Sequence, residues 1–171
     1  LDEGHKAYSA QAQDTLRTSL VMPGLLDTLR TNLRLGRRDV AVFEMGRVFL
    51  RAPGAPREER RLAALLSGST NPHHWSTKPR PFDLFDLKGV AELLLARLGE
   101  AVLEAERGGA LPVFLHPGRA IALGRAGRSI GYAGAVHPDG RAAWEPKDEA
   151  VVLEIALDAL LEAAPNVARF S

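Results

Sequence analysis

The stretch LRTSLVMPGLLDTLRTNLRLGRRDVAVFEMGRVFLR, residues 16–51, decides the fold. From Leu16 to Met22 it alternates like a strand, and Pro23 then stands where a proline is welcome, in the first turn of a helix. Met22, Leu25, Leu26, Leu29 and Leu33 recur at helical spacing, and Gly36 sits just past them in the position of a C-terminal cap. The run Asp39–Arg51 follows with Val40, Val42, Val48 and Phe49, a β-favouring pattern that predicts one long strand. Gly46 inside it marks a bulge or a close backbone approach.

Working outward, residues 1–14 are polar without a steady period and read as a linker remnant, leaving 15–171 as the folded module. APGAPREERR (52–61) reads as an exposed turn, and LAALLSG after it as a short buried strand, so a hairpin joins the two. STNPHHWSTKPRP (69–81) reads as a loop. FDLFDLKGVAELLLARLG (82–99) reads as a helix, with Leu87, Val90, Leu94 and Leu98 on its stripe and Gly99 at its end. AVLEAER is a strand candidate, and residues 114–138 hold two alternating runs around Gly124 and Gly127, the pattern of a hairpin. DGRAAWEP reads as a short helix, VVLEIALD as a strand and ALLEAA as a last helical turn. About six strands joined by hairpins, with two good helices, predict an α+β domain on a mostly antiparallel sheet flanked by helices.

Composition restricts the chemistry. The 171 residues form one ordinary domain, 46% hydrophobic and 25% charged. Twenty-two Lys and Arg against 21 Asp and Glu leave a formal charge of +1, which disfavours bulk attraction to nucleic acid or anionic lipid. There is no cysteine, so disulfides, thiolate catalysis and Cys-based zinc sites are excluded, and a cytoplasmic compartment is expected. No apolar run approaches the ~20 residues that span a bilayer, so no membrane partner is expected. The chain opens on Leu1 and closes on ARFS, and reads as a piece of a longer polypeptide.

The polar motifs suggest turns rather than reactions. Adjacent His73 and His74 point apart with no third ligand at a supporting spacing, so no metal site is predicted. His116-Pro117 and His137-Pro138 stand at the ends of the predicted hairpin, where a residue before proline is held extended. Gly124, Gly127, Gly131 and Gly134 match neither phosphate-loop pattern. Glu44, Asp83, Asp86, Glu104 and Glu106 suggest no acid/base pair. Residues 16–61 carry ten Arg against five acids without interleaved stacking aromatics, which suggests a solvated face or a protein interface before an RNA groove.

The particular words go further than composition. Residues 16–49, then FDLKGVAELLLARLG, FLHPGRAIAL, IGYAGAVHP and VVLEIALDAL, resemble in content and order the β subunits of bacterial phenylalanyl-tRNA synthetases, over about Thr15–Ser171. The region resembled is the catalytic-like module, whose fold is that of a class II aminoacyl-tRNA synthetase. In active class II enzymes the second signature strand carries an Arg that clamps phosphate and carboxylate, a task suited to its planar fork. Here Leu50 stands where that Arg would be and Ala52 where the following acid would be, and Arg51 is an off-register candidate.

The resemblance therefore implies no catalytic, cofactor-binding or metal-binding residue in this chain. It implies a structural module that supports assembly with the catalytic α subunit, two copies of each, in an enzyme that ligates phenylalanine to tRNA. ATP and magnesium serve that parent enzyme, and tRNA is met through the complex. The subunit-contact residues it suggests are Leu25, Leu26, Leu29, Arg30, Leu33 and Arg34 on and beside the first helix. Two rivals are a stand-alone RNA-binding module and a divergent ATP-dependent ligase of class II type.

Overall fold

The computed structural model describes residues 21–50, 57–71, 76, 78–97, 104–106, 111–125, 127–138 and 149–162. Their elements are α1 (Met22–Arg34), β1 (Val40–Leu50), β2 (Arg57–Ser67), α2 (Leu84–Arg97), β3 (Glu104–Glu106), β4 (Leu115–Arg125), β5 (Arg128–Val136), β6 (Ala150–Ala156) and α3 (Leu157–Glu162). The strands form one sheet in the order β1-β2-β6-β5-β4-β3, and every neighbouring pair is antiparallel. This is the α+β architecture expected from the sequence.

The helix at the head of the chain ends as its glycine predicts. Gly36 has φ 77°, and its N–H donates to Leu33 O while Arg37 N–H reaches Asn32 O, a paired C-terminal cap that needs the left-handed conformation at Gly36. Gly127, at φ 70°, takes the left-handed conformation between β4 and β5. Met22 belongs to α1 and Val21 precedes it, so the strand expected from Leu16 does not extend to Met22. A proline at the first turn fixes the helical φ there and sets the boundary. The remainder of that expected strand, the 139–146 helix, His73, His74, Leu98 and Gly99 lie outside the described residues.

Side-chain alternation divides the core between the two faces of the sheet. On one face Val40 and Val48 of β1, Ala63 and Leu65 of β2, Ala150 and Val152 of β6 and Tyr132 of β5 pack beneath Leu25, Leu26 and Leu29 of α1. On the other, Ala64, Leu66, Val151, Leu153, Ile155 and Ala133 meet Leu87, Ala91 and Leu95 of α2 and Leu160 of α3. Strand β6 lies in the middle of the sheet and is buried throughout. β1 runs in unbroken register with β2, so Gly46 marks no bulge. A Cβ added there would lie 3.1 Å from Val21 Cγ2, which is the close approach its position suggested.

Three expectations need correcting. Arg57–Arg61 belong to β2 and not to a turn: Glu58 pairs with Arg47, Arg60 with Asp158, and Glu59 with Arg57 and Arg61, so the charges are neutralised in place along the strand. The buried stripe of α2 is Leu87, Ala91 and Leu95, whereas Val90 is exposed. The helix is apolar on several sides, and sequence spacing alone does not select the side that faces the sheet. The β6 strand stops at Ala156, because Asp158 turns into the first turn of α3 and accepts hydrogen bonds from Arg60 N (2.8 Å) and Arg60 Nε (2.7 Å).

Candidate functional site

Strand β6 puts a carboxylate into the middle of the core. Glu154 is fully buried on the α1 face, directly opposite Tyr132 of β5, whose hydroxyl donates to Glu154 Oε2 at 3.0 Å. Arg61 of β2 donates to Glu154 Oε1 at 2.9 Å and holds Glu59 with its Nε, also at 2.9 Å. Arg57 closes the outer side, 2.8 Å from Glu59. The Met22 N–H also binds the Glu154 carboxylate. Val21 offers α1 no side-chain cap and the first turn carries no acid, so Glu154 supplies, from the far end of the sequence, the negative charge that a helix N-terminus favours.

Electrostatics follow from burial and partners. Burial raises the Glu154 pKa, opposed by Arg61, Tyr132 and the Met22 N–H. Burial pushes Tyr132 well above the ordinary phenol value, and the Glu154 charge adds to it. Burial pulls Arg61 down, but its bonds to Glu154 and Glu59 outweigh this, and its pKa is raised. The network borders a cleft of about 370 Å³ lined by Arg57, Glu59, Arg61, Arg128 and Tyr132. Within it Arg61 is committed to two carboxylates of its own fold. The arrangement is suited to locking β2, β5, β6 and α1 together.

The residues nominated from sequence separate into two groups. Leu25, Leu26 and Leu29 are buried in the chain's own core, while Leu33 is half-buried at its margin. Arg30, 3.2 Å from Asp27, and Arg34 lie on the outer side of the helix. The apolar stripe is therefore largely consumed within the domain.

Leu50 closes β1 and packs, half-buried, against the α1-side core. It presents no charged donor at the position where the resemblance looks for a phosphate-clamping arginine. Arg51 and Ala52 lie outside the described residues.

The other described polar motifs make local contacts within the fold. His116 and His137 stack, with ring centroids 5.6 Å apart, at the open end of the β4–β5 hairpin. The His116 Nδ1 accepts from Gly118 N–H, and His137 N–H donates to Phe114 O. Asp83 and Asp86, for which no pairing was expected, do come together, as a reciprocal cap. Asp83 Oδ1 accepts from Phe85 N–H and Asp86 N–H, Asp86 Oδ2 accepts from Asp83 N–H, and Arg80 clamps Asp86. No group of three potential ligands for a metal occurs among the described residues. A second hollow of about 250 Å³, between α2 and strands β3–β6, is lined mainly by aliphatic side chains such as Leu87, Leu95 and Ile121.

Sequence reasoning missed Glu154, Tyr132, Arg61 and Glu59. One signal was available: a glutamate in the centre of VVLEIAL, a run otherwise apolar enough to be buried on both faces, has to have a partner.

The sequence matches the family model described as the phenylalanyl tRNA synthetase beta chain CLM domain over residues 7–157. The chain belongs to that family. Among its curated relatives are phenylalanine–tRNA ligase beta subunits from three bacteria. The Syntrophus aciditrophicus protein is 37% identical over 152 residues, 88% of this chain and 19% of that protein. The Listeria innocua protein is 40% identical over 156 residues, covering 86% and 18%. The Moorella thermoacetica protein is 37% identical over 161 residues, covering 94% and 20%.

The chain thus spans about a fifth of the length of these beta subunits. Among solved structures, the pyrrolysyl-tRNA synthetase of Desulfitobacterium hafniense superposes with a TM-score of 0.61 over 90% of this chain and 54% of that one, at 16% identity. A second structure of that enzyme gives 0.61 over 84% and 48%, at 18% identity. These likenesses establish a class II synthetase fold for this phenylalanyl-tRNA synthetase beta-chain domain, and fold alone does not carry activity. No helix among the described residues is long and apolar enough to cross a membrane.

Proposed function

We propose that this chain is a non-catalytic structural module of a phenylalanine–tRNA ligase β subunit, acting in the cytoplasm to support assembly with a catalytic α subunit, two of each, and thereby aminoacylation of tRNA with phenylalanine. The observation that carries the proposal is Leu50, an uncharged side chain packed half-buried against the core where an active class II site needs a cation. On this reading ATP, magnesium and phenylalanine are handled by the α subunit. Leu25, Leu26 and Leu29 contribute by seating α1, while Arg30, Leu33 and Arg34 form the part of its surface offered to the partner.

The test is reconstitution of full-length β subunit with α subunit. The triple variant Arg30→Glu, Leu33→Ser, Arg34→Glu should keep the β-subunit melting temperature within a few degrees, yet weaken α binding at least tenfold and lower aminoacylation in parallel. Unchanged assembly would remove α1 from the contact.

A further inference from the structure

Among the described residues, no element covers the face of β1 turned away from α1. Phe43, Met45 and Phe49 alternate along it and are 72%, 67% and 62% exposed, beside the half-buried Leu62 of β2. The same face of the neighbouring strands is roofed, with α3 over β2 and β6 and α2 over β5 and β6. The described helices therefore stop one lane short of the sheet edge. Strands lie ~4.8 Å apart and a helix with its side chains is ~10 Å wide, so the uncovered lane over β1 and the margin of β2 has the width of one helix. From Phe43 to Phe49 it runs ~20 Å, the length of a helix of about 13 residues. Towards its Phe49 end Arg47 and Glu58 neutralise each other at 2.6 Å, so an occupant needs an apolar stripe with a polar break and no net charge there.

We propose that this lane seats an amphipathic helix from the part of the β-subunit polypeptide that lies outside these 171 residues. The three exposed side chains offer ~400 Å² of apolar surface, counting most of a ring or thioether chain for each. That is about half of the ~800 Å² per partner that an independent interface buries, but it suffices for a segment tethered to the same chain at high effective concentration. The curated relatives are about five times longer than the matched region, which supplies such a segment. The proposal rests on the reading of this chain as a β-subunit module.

The chain has no cysteine, so Met45→Cys places a single thiol on the lane. Maleimide labelling of that thiol should be at least tenfold slower in the full-length β subunit, purified without α, than in the 171-residue chain. Phe43→Cys is the second variant should Met45→Cys not fold, as judged by circular dichroism. Equal rates in the two proteins would overturn the proposal. So would protection that appears only when α is added, or protection in the 171-residue chain that grows with its concentration; these would assign the lane to the α subunit or to a second copy. If the labelling prediction fails while α assembly still depends on Arg30, Leu33 and Arg34, the lane proposal alone is wrong.

Discussion

Replacing Arg61 with methionine tests whether the buried network holds the domain together. Glu154 has no exposed surface, and the Arg61 side chain is only 17% exposed, so the variant leaves a carboxylate in the core without its cation. Removing one partner of such a pair costs ~3–5 kcal/mol. Tyr132 and the Met22 N–H still bind Glu154, and Arg57 still binds Glu59, which places the expectation at the lower end, about 3 kcal/mol, or ~6–12 °C in melting temperature for a domain of this size.

The loss should depend on pH in a defined sense. Without Arg61 the Glu154 pKa, already raised by burial, rises further. A raised folded pKa gives stability that is present below the unfolded value, ~4.3, and lost as pH rises through the folded one. The gap to wild type should therefore be smaller at pH 5 than at pH 8 in urea titrations followed by circular dichroism. Arg61→Met with Glu154→Gln should recover 1 kcal/mol or more, a coupling typical of contacting residues. A single variant that loses under 1 kcal/mol, or a double variant no better than the single one, would refute the reasoning.

Two further outcomes follow from burial and partners. Leu29→Ala should destabilise the chain by ~2–5 kcal/mol, because its side chain is fully buried beneath α1, whereas Leu33→Ala at the margin should cost less than half as much; thermal melts of both decide it. Asp86, held below its ordinary value first by Arg80, and Asp158, held down first by the Arg60 N–H, contribute stability that is present above the unfolded value of ~3.9 and lost as pH falls through their lower folded values. Asp158→Asn and Asp86→Asn should each flatten the loss of stability below about pH 4, and an unchanged acid limb would show that these bonds do not form in solution.

What could be read from the sequence was what is local. The α1 stripe and Gly36 specify a helix and its end within fifteen residues, and the alternation of residues 114–138 specifies a hairpin and its turn. The charged half of β2 misleads because what keeps Glu59 and Arg61 in a strand is Glu154, 93 positions away from Arg61 along the chain. The α2 stripe misleads because an all-round apolar helix shows its buried side only once the sheet is present. The network itself depends on strand register: Tyr132 meets Glu154 only because β5 and β6 pair residue for residue there, and no spacing rule within one segment anticipates that.

Pyrophosphate exchange most directly tests the claim that this module supports aminoacylation without performing its chemistry. With ATP, magnesium and phenylalanine, the 171-residue chain should show no exchange above a heat-killed control, because Leu50 cannot supply charge-assisted hydrogen bonds to a phosphate. The reconstituted αβ enzyme should exchange under the same conditions. Exchange by the chain alone that disappears in Arg51→Ala would contradict the account and place an adenylate-forming site in this domain.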